Sequence, residues 1–462
     1  MTLKQIAAIV LAIAVAAAFL VIAIIRPIMR GVGTEDAENA GHDTEYYQPT
    51  QDDGLIDEYE EEYIMTEPLP GWDLSLPSLA QVFEPYFMFG SIYSSSNVMN
   101  LPGTQEMFVH QFNAVTAENW HKPYNIAPRG FVRPEASEYD FNHADAIVNW
   151  AIENNITLIG HVLVWHSQSP DWLNLSAPGV PLTRAQARNN MEFHIRTMAE
   201  HFTAMGTIDA FHSWDVVNEA IASDGGTWDG NASDWHIGDW RTQMREDSPW
   251  FMAYANVYDP NAGEHPSDYV YDAFVFARRY FPNSILYYND YNEEIPAKRN
   301  AIAQMVEQLN QRWAHDFENN PDAVPEGEKY TGRKLIEGIG MQSHYHLDQW
   351  RTNLNNVRPA IERFVATGAV ISITELDITV GFQDHPLAAP LDAASQQRQG
   401  EAFARLMSYY MEFAEHIERV SLWGKADHQS WRAWGQPLLF DSNFHAKDAF
   451  FAIIGLAHTD SK

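Results

Sequence analysis

Two glutamates follow apolar, strand-like runs and have polar neighbours. Glu219 comes directly after Asn218 in the stretch HSWDVVNEAI, and Glu375 precedes Asp377 by two residues in AVISITELDI. A carboxylate beside an apolar strand is costly to bury unless it is paired or hydrogen-bonded. Two carboxyl groups that flank one bond can act as proton donor and nucleophile, which is what cleavage of a glycosidic bond requires. The sequence therefore raises the question of whether Glu219 and Glu375 face each other.

A simpler interpretation exists for each glutamate alone. One glutamate at a strand end is usually an ordinary solvated residue. Two of them at matching positions, each with polar neighbours, favour a catalytic pair. The separation of the carboxyl groups decides the stereochemistry, about 5 Å for retention and more for inversion, and sequence alone leaves that distance open.

The elements that must position these residues alternate between strand and helix. Eight strand-like runs occur in order: YFMFGSIY, FNAVTAEN, ITLIGHVLVW, FHSWDVVNE, ILYYNDYN, GIGMQSHYH, AVISITELDI and RVSLWGKAD. Amphipathic patterns such as FNHADAIVNWAIEN lie between them and indicate helices. Apolar strands separated by helices are typical of a parallel sheet covered by helices. Eight such units predict an α/β fold of the (β/α)₈ TIM barrel type, with a doubly wound open sheet as the alternative.

Polar and aromatic residues gather where these strands end. They are Glu118, His161, Trp165, Glu219, Asn292, His344, Glu375 and Trp423. Barrel active sites are built from the ends of many strands, whereas an open sheet uses only the strands near its switch point. This distribution favours the barrel.

Composition narrows the class of function. The chain has 462 residues, a net charge of −33, 45% hydrophobic residues and no cysteine. The negative charge argues against a nucleic-acid partner, whose phosphates require a basic surface. The absence of cysteine excludes disulfides, thiolate metal sites and cysteine nucleophiles. Fifteen Trp and twenty Tyr exceed what a core needs, and the excess could form platforms for sugar rings.

The N-terminal part is predicted to be separate from the catalytic part. Ile6 to Ile25 are twenty consecutive uncharged, apolar residues, which is long enough to span a bilayer. Residues 1–30 are therefore predicted to be a transmembrane or signal-anchor segment, with a cleaved signal peptide as the alternative. Residues 35–62 contain twelve acidic residues and no Lys or Arg, so 31–71 are predicted to be a disordered acidic linker. Residues 72–462 form the predicted catalytic domain.

Eight motifs connect this domain to a known family. They are TAENWHKP, GHVLVWHSQSPDWL, WDVVNEA, YYNDYNEE, GIGMQSH, ITELDI, WGKADHQSWR and PLLFDSNFHAKDAF. The chain resembles the endo-β-1,4-xylanases of glycoside hydrolase family 10 from about Gln81 to His458. The resemblance implies a (β/α)₈ barrel and a retaining double displacement on xylan, with no cofactor and no metal. HYH and NDYNEE also lack the ligand spacing of an established metal site.

The resemblance assigns roles around the two glutamates. Glu219 matches the general acid/base and Glu375 the nucleophile. Asn218 matches the amide that binds a sugar 2-hydroxyl, and His344 the histidine that orients Glu375. The resemblance also includes Asp377 as a supporting acid and Gln342 as a neighbour of Glu219. The proton-donating role predicts that the pKa of Glu219 lies above its ordinary value in the free enzyme.

Sugar-binding positions follow in the same way. The resemblance places three polar residues at the distal xylose on the glycone side: Glu118, Asn119 and Lys122. It places three more on the third strand: His161, Trp165 and Gln168. Trp423 and Trp431 match the aromatic pair that roofs the cleft near C5 of xylose. Tyr291 matches a stacking tyrosine on the aglycone side.

Departures from the family pattern concern the surroundings of the pair. His121 replaces the usual methionine, which puts the fine specificity of the glycone side in doubt. Lys425 stands where the family is usually apolar, and either pairing with an acid or reaching the glycone would explain it. A long insertion, 225–244, carries Trp228, Trp235 and Trp240. It is predicted either to lengthen the aglycone side of the cleft or to pack on itself as a lid.

These inferences combine into one functional prediction. The chain is expected to be an endo-1,4-β-xylanase that takes xylan or xylo-oligosaccharides as substrate. The alternatives are a β-1,4-glucanase or mannanase on a related barrel and a non-catalytic xylan-binding barrel. The protein is expected to be a monomer at the cell surface, held by its N-terminal segment in the membrane, or secreted if that segment is cleaved.

Overall fold

A computed structural model describes residues 73–95, 99–100, 103–222, 238–319, 332–348, 353–387 and 389–459. The predicted membrane segment 1–30 and acidic linker 31–71 lie outside these ranges, as do Trp228 and Trp235 of the insertion. Within the described ranges no helix has the length and hydropathy needed to cross a membrane.

Eleven strands occur in the described part of the chain. They are β1 (Met88–Tyr93), β2 (Ala114–Ala117), β3 (Thr157–Trp165), β4 (Leu175–Ala177), β5 (Val180–Pro181), β6 (Phe211–Asn218), β7 (Ile285–Asp290), β8 (Gly338–Met341), β9 (His344–His346), β10 (Val370–Thr379) and β11 (Ile417–Leu422). Each of the eight strand-like runs contains one barrel strand. The small β4–β5 hairpin was not predicted.

The barrel is closed and parallel. Its strands follow the order β1-β2-β3-β6-β7-β8-β10-β11, and β11 pairs in parallel with β1 to complete the ring. The chain therefore forms the predicted eight-stranded TIM barrel and not the doubly wound open sheet. Because all strands run the same way, their carboxyl ends meet on one face.

Helices cover the outside of the ring. They are α1 (Leu79–Phe83), α2 (Thr104–Gln111), α3 (Pro123–Ile126), α4 (Asn142–Glu153), α5 (Arg184–Met205), α6 (Pro249–Ala255), α7 (Asp268–Tyr280), α8 (Pro296–Asn319), α9 (Val357–Val365), α10 (Ala393–Glu412) and α11 (Asp448–Thr459). Local sequence fixes several starts: Thr183 and Gln186 form a capping box at α5, and Asp392 accepts from Ser395 N–H at α10. The core lies between barrel and helices, where Phe202 of α5 packs on Phe211 of β6 with ring centroids 4.7 Å apart.

Two strand boundaries differ from the prediction. GIGMQSHYH is not one strand, because Ser343 has φ +61° and divides it into β8 and β9. Glu375 does not end its strand either, since it is the sixth of the ten residues in β10. The extra residues of β10 pair with β9, where Asp377 lies opposite His344. The β9–β10 pairing extends the sheet beyond the carboxyl end of β8 at this point.

A charged cluster at the amino-terminal end of the barrel predicts acid-sensitive stability. Glu418 accepts hydrogen bonds from Tyr287 Oη at 2.6 Å and from His212 Nε2 at 2.7 Å. Burial alone would raise the pKa of Glu418, but these two donors outweigh it and the pKa lies below its ordinary value of 4.5. A lowered carboxyl pKa stabilises the fold above the unfolded pKa, and that stability is lost as the pH falls.

We therefore expect Glu418→Gln to lose about 1–2 kcal/mol of unfolding free energy at pH 7. The difference from wild type should shrink as the pH falls below the ordinary carboxyl value of 4.5 and the wild-type carboxylate takes up its proton. Urea unfolding at a series of pH values measures it. A difference that stays constant down to pH 3 would contradict the assignment.

Candidate active site

Three neighbouring strands place polar side chains in a row at the carboxyl end of the barrel. In the strand register Trp165 of β3 lies opposite Asn218 of β6, and Asn218 lies opposite Asn289 of β7. Gly340 of β8 leaves the space that Asn289 occupies, because a Cβ at Gly340 would lie 2.3 Å from Asn289 Oδ1. Backbone register and one glycine thus bring these groups together.

An amide network joins the two glutamates. Asn289 Nδ2 donates to Glu375 Oε1 at 2.8 Å and to Asn218 Oδ1 at 3.0 Å. Gln342 Nε2 donates to Asn218 Oδ1 at 3.1 Å and to Glu219 Oε1 at 2.9 Å. Asn218 Nδ2 also donates to Glu219 Oε1 at 3.0 Å. The structure therefore brings Glu219, Glu375, Asn218 and Gln342 into one connected site, as the sequence predicted.

Glu219 is the first residue after β6 and has an unusual backbone. Its φ is +58°, in the left-handed region that residues other than Gly, Asn and Asp seldom occupy. The indole of Trp165 donates to Glu219 Oε2 at 3.0 Å, and Arg245 Nε donates to the Glu219 carbonyl at 3.2 Å. Gln342 and Asn218 hold Oε1 and Trp165 holds Oε2, so both carboxylate oxygens of Glu219 accept from neutral donors.

The predicted rise in the pKa of Glu219 is wrong for the free enzyme. Burial raises this pKa, but the charge of His166 and the hydrogen bond from Gln342 work against burial. Arg245 and the Trp165 indole lower it further, and the pKa lies below its ordinary value. The proton-donating role alone predicts a raised pKa, whereas the donors that surround the carboxylate lower it.

The contribution of His166 is confined to acidic solution. Its Nδ1 lies 3.9 Å from Glu219 Oε2, but burial lowers the pKa of His166 to about 4. The imidazole is therefore uncharged near neutral pH. There, the hydrogen bonds from Gln342 and Trp165 and the charge of Arg245 keep the Glu219 carboxylate stable.

Removing the Gln342 donor is expected to raise the pKa of Glu219. A hydrogen bond to a buried carboxylate favours the charged form, and its loss corresponds to roughly one pH unit. In Gln342→Met the alkaline limb of kcat/KM should move upward by about that amount, because the limb reports the acid in the free enzyme. A pH–rate profile with an unactivated xylo-oligosaccharide, whose leaving alcohol needs the proton, measures the shift. An unchanged limb would show that Gln342 does not control this proton.

Glu375 is held on its other side by a line of alternating charges. His344 Nε2 contacts Glu375 Oε2 at 3.2 Å, and His344 Nδ1 lies 3.0 Å from Asp377 Oδ2. Arg432 donates to Asp377 Oδ1. Burial lowers the pKa of His344, but Asp377 and Glu375 outweigh it and raise it to about 9. The imidazolium of His344 therefore lies in contact with the Glu375 carboxyl group.

Asp377 is the fixed anion of this line. It is completely buried, and burial alone would raise its pKa, but Arg432 and His344 lower it. The site residues His344 and Asp377 thus lie where the sequence placed them, beside Glu375.

A second charged group lies directly after β2. Lys122 Nζ donates to Asn119 Oδ1 at 2.9 Å, and the ammonium lies 5.1 Å from the Trp165 ring centroid. Burial lowers the pKa of Lys122, while Glu118, Glu375 and Glu219 act against that shift. The predicted group Glu118, Asn119 and Lys122 is therefore close enough to the glutamate pair for their charges to interact.

Aromatic rings line two sides of the site. Trp423 is 6% exposed and meets His161 edge-on, with centroids 5.4 Å apart. His161 Nδ1 contacts Asp215 Oδ2 at 2.9 Å. Trp431 is 46% exposed and meets His344 edge-on at 5.1 Å. Trp431 thus offers an open ring face beside Glu375, whereas Trp423 is mostly covered.

The two remaining predicted residues lie at the edge of the site. Gln168 follows β3 with φ +42°, and its carbonyl accepts from Tyr124 N–H at 2.9 Å. Tyr291 is largely buried, and its hydroxyl accepts from Arg245 Nη2 at 2.8 Å. Arg245 also binds the Glu219 carbonyl, so Tyr291 is linked to the acid by one side chain. Sugar stacking on Tyr291 stays a prediction.

Two departures noted in the sequence do not face the cleft. His121 is fully buried, with its ring 5.4 Å from that of Phe211 and 5.6 Å from that of Trp214. It belongs to the core behind β6 and does not itself line the cleft, and the fine specificity of the glycone side stays open. Trp240 is also buried, and its indole donates to Gln308 Oε1 at 2.9 Å.

Sequence reasoning missed several residues of the site: Asn289, Arg432, Arg245 and His166. Asn289 was passed over in favour of Asn292, which lies beyond β7. The signal was available, since Asn289 and Asn218 occupy corresponding positions near the ends of consecutive barrel strands. The pairing of Arg432 with Asp377 spans 55 positions of the chain and had no such signal.

The described residues contain no group of three or more His, Cys, Asp or Glu side chains that could hold a metal ion. The metal-free site expected from the family resemblance stays a prediction.

Comparison with known proteins gives concordant matches. Residues 78–456 match the model of glycosyl hydrolase family 10. An endo-1,4-beta-xylanase of Geobacillus stearothermophilus is 30% identical over 394 residues, covering 83% of this chain and 99% of that protein.

Solved structures agree with this match. An intracellular xylanase of Thermoanaerobacterium saccharolyticum, solved in complex with xylotetraose, superimposes with a TM-score of 0.65 at 27% identity. The match covers 82% of this chain and 99% of that one. A xylanase with a bacterial Ig-like domain from termite gut gives 0.66 at 32% identity and covers 85% and 80% of the two chains.

Proposed function

The chain belongs to glycosyl hydrolase family 10, and on that basis we propose that it is a retaining endo-1,4-β-xylanase. The observation that carries the proposal is the amide network that connects Glu219 with Glu375. Two carboxyl groups held by shared donors in one cleft are suited to act on the same glycosidic bond.

In the first step Glu375 attacks and Glu219 donates. A carboxylate oxygen of Glu375 forms a bond to the anomeric carbon as the bond to the glycosidic oxygen breaks. The carboxyl group of Glu219 transfers its proton to that oxygen, so the aglycone leaves as an alcohol. The product is a glycosyl ester on Glu375, and Glu219 is left as the carboxylate.

In the second step the roles reverse. The Glu219 carboxylate takes a proton from water while the water oxygen bonds to the anomeric carbon. The ester bond to Glu375 breaks, which restores both side chains and gives net retention. The donors from Gln342 and Trp165 that stabilise the Glu219 carboxylate favour this step.

Substrate binding must raise the pKa of Glu219 so that its carboxyl group carries the proton needed for the first step. Because the pKa of Glu219 is low in the free enzyme, the sugar has to shift it upward. A bound chain excludes water from the carboxyl group, and the glycosidic oxygen accepts a hydrogen bond only from the protonated form. Both effects favour protonated Glu219 in the complex.

The alternating charges of His344, Asp377 and Arg432 hold Glu375 in position for attack. His344 is positively charged below about pH 9 and fixes one oxygen of Glu375. Asn289 fixes the other. The nucleophile therefore needs no reorganisation as the positive charge develops at the sugar.

Xylose is favoured over hexoses by the aromatic residues near Glu375. Trp431 lies against His344, and the family resemblance places Trp423 and Trp431 near C5 of the sugar. Xylose has no C6 to collide with such rings, whereas glucose and mannose do.

The full-length protein assayed on xylan, carboxymethyl-cellulose and mannan tests the substrate. We expect reducing-sugar release mainly from xylan. Release mainly from one of the other two polymers would keep the mechanism and change the sugar. Binding of xylan without release from any polymer would indicate a non-catalytic barrel.

We also propose that residues 1–30 anchor the protein and that 31–71 separate the cleft from the membrane. The support is the run of twenty apolar residues and the acidic composition that follows it. Treatment of intact cells with an external protease should release xylanase activity from the cells into the medium. Activity already in the medium before treatment would favour cleavage of the segment and secretion.

A further inference from the structure

Lys425 is a buried cation next to the glycone side of the site. It follows β11 at a position that the family resemblance expects to be apolar, and its side chain is 0% exposed. Its ammonium donates to the Ile92 carbonyl and to Ser94 Oγ, both at 3.2 Å. Full burial of a lysine ammonium costs free energy unless the charge is paired and hydrogen-bonded.

Ser94 connects this ammonium to Glu118. An ammonium has only donors, so Ser94 Oγ must accept from Lys425 and point its own hydrogen elsewhere. The hydrogen bond from Ser94 stabilises the Glu118 carboxylate. The Ser94 carbonyl is fixed as well, since it accepts from Trp120 Nε1 at 2.9 Å. Lys425 therefore occupies an acceptor position of Ser94 Oγ and leaves the hydroxyl hydrogen for Glu118, whose backbone N–H donates to the adjacent Tyr93 carbonyl at 3.1 Å.

Charge distribution gives Lys425 a role that Lys122 does not fill. The Lys122 ammonium interacts with three carboxylates, Glu118, Glu375 and Glu219. The Lys425 ammonium interacts with Glu118. Burial raises the pKa of Glu118, and both lysines act against that shift. Lys425 thus supplies Glu118 with a counter-charge that is not shared with the catalytic pair.

We propose that Lys425 is a positioning residue for the distal glycone site, acting through Ser94 to keep Glu118 ionised and oriented toward the second sugar. The proposal rests on the proposed function, since it assumes that Glu118 binds that sugar. It does not place Lys425 in contact with substrate.

The competing explanation is that Lys425 only joins the ends of β11 and β1. Its bond to the Ile92 carbonyl would serve that purpose, and its loss would then disturb the whole cleft. The two explanations differ in which substrates are affected. A purely structural residue affects all of them, whereas a positioning residue affects those that reach the distal site.

The test compares 4-nitrophenyl β-xylobioside, which fills the distal site, with 4-nitrophenyl β-xyloside, which does not. In full-length Lys425→Met we expect kcat/KM on the bioside to fall about tenfold, mainly through KM, because a charge-assisted contact is lost. The value on the monoside should stay within about twofold. An equal fall on both substrates, or no fall on either, would overturn the proposal.

A pH series gives a readout that a structural role would not move. Burial lowers the pKa of Lys425 to about 8, so the bioside-to-monoside ratio of wild type should decline above pH 8. In Lys425→Met the ratio should lack this decline. Lys122 also faces Glu118 and titrates in both proteins. Identical pH profiles for the two proteins would count against the proposal.

Two other titrating groups do not obscure this comparison. His344 acts through Glu375 on both substrates and cancels in the ratio. His428 faces Lys425, and burial lowers its pKa, so it is neutral throughout this range.

Two further variants keep the test informative. Ser94→Ala breaks the link while leaving the lysine, and it should lower the ratio even where Lys425→Met folds poorly. Lys334→Met is the matched control. Lys334 precedes β8, away from the cleft, and its Nζ also donates to a backbone carbonyl, that of Thr367, at 3.0 Å. Its ratio should equal that of wild type. A normal ratio in Ser94→Ala would overturn the proposal.

Failure of the proposal and failure of the proposed function look different. If wild type cleaves neither glycoside nor xylan, the function itself is wrong and the proposal falls with it. If wild type cleaves both glycosides and the Lys425 and Ser94 variants keep its ratio, the proposal alone is wrong.

Discussion

Replacing Glu375 by alanine is expected to lower kcat on xylan by roughly 10⁴-fold or more while the protein stays folded. The variant lacks the carboxylate proposed to form the covalent bond, and neither His344 nor Asn289, which hold its two oxygens, can replace it as a nucleophile. Reducing-sugar release measures the loss, and thermal unfolding checks the fold.

Azide makes the Glu375 test specific. A small anion can enter the space left by the carboxylate and attack an activated xylobioside from that face, giving an azide product of inverted configuration. Glu401→Ala is the matched control, because Glu401 is exposed on α10 and should have wild-type activity. Retention of more than a tenth of wild-type activity by Glu375→Ala would refute its assignment as nucleophile.

Replacing Glu219 by alanine should give a different pattern. We expect kcat on xylan to fall about 10²–10⁴-fold, the usual contribution of general acid–base catalysis. An aryl glycoside with a good leaving group needs no proton in the first step, so the variant should form the glycosyl-enzyme and then stall. A pre-steady-state burst of the aryl group measures this stalling.

Azide also distinguishes the two glutamates. In Glu219→Ala it should attack the accumulated glycosyl-enzyme, restore turnover and give a product of retained configuration. Glu219→Gln, which keeps the size of the side chain but cannot exchange a proton, is the matched control and should stall similarly. A Glu219 variant that shows no burst and no rescue would argue against its role as acid/base.

Much of the fold could be predicted because its signals are local. Apolar runs such as ITLIGHVLVW and the helical patterns between them are properties of a few consecutive residues. The number of strands then leaves few arrangements for a parallel sheet. The division of GIGMQSHYH at Ser343 was not predictable, because the left-handed conformation of a serine depends on tertiary contacts.

The site was predictable to the extent that function lies in strand-end residues. Glu219 and Glu375 could be paired because both follow apolar runs, and the structure joins them through amides. The charge environment could not be predicted in this way. The low pKa of Glu219 depends on Gln342, Trp165 and Arg245, which come from three distant parts of the chain.

Lys425 shows the same limit. Its type and position were visible in the sequence, but the two explanations offered for it could not be separated without knowing that Ser94 lies between it and Glu118.

The left-handed backbone of Glu219 has a consequence for the evolution of the chain. With φ at +58°, a glutamate at this position costs about 1–2 kcal/mol relative to a residue that accepts the conformation freely. Under selection for stability alone, Gly or Asn would be favoured at position 219 over time. The glutamate at position 219 is thus kept at a cost in stability, and its proposed role in proton transfer explains that cost.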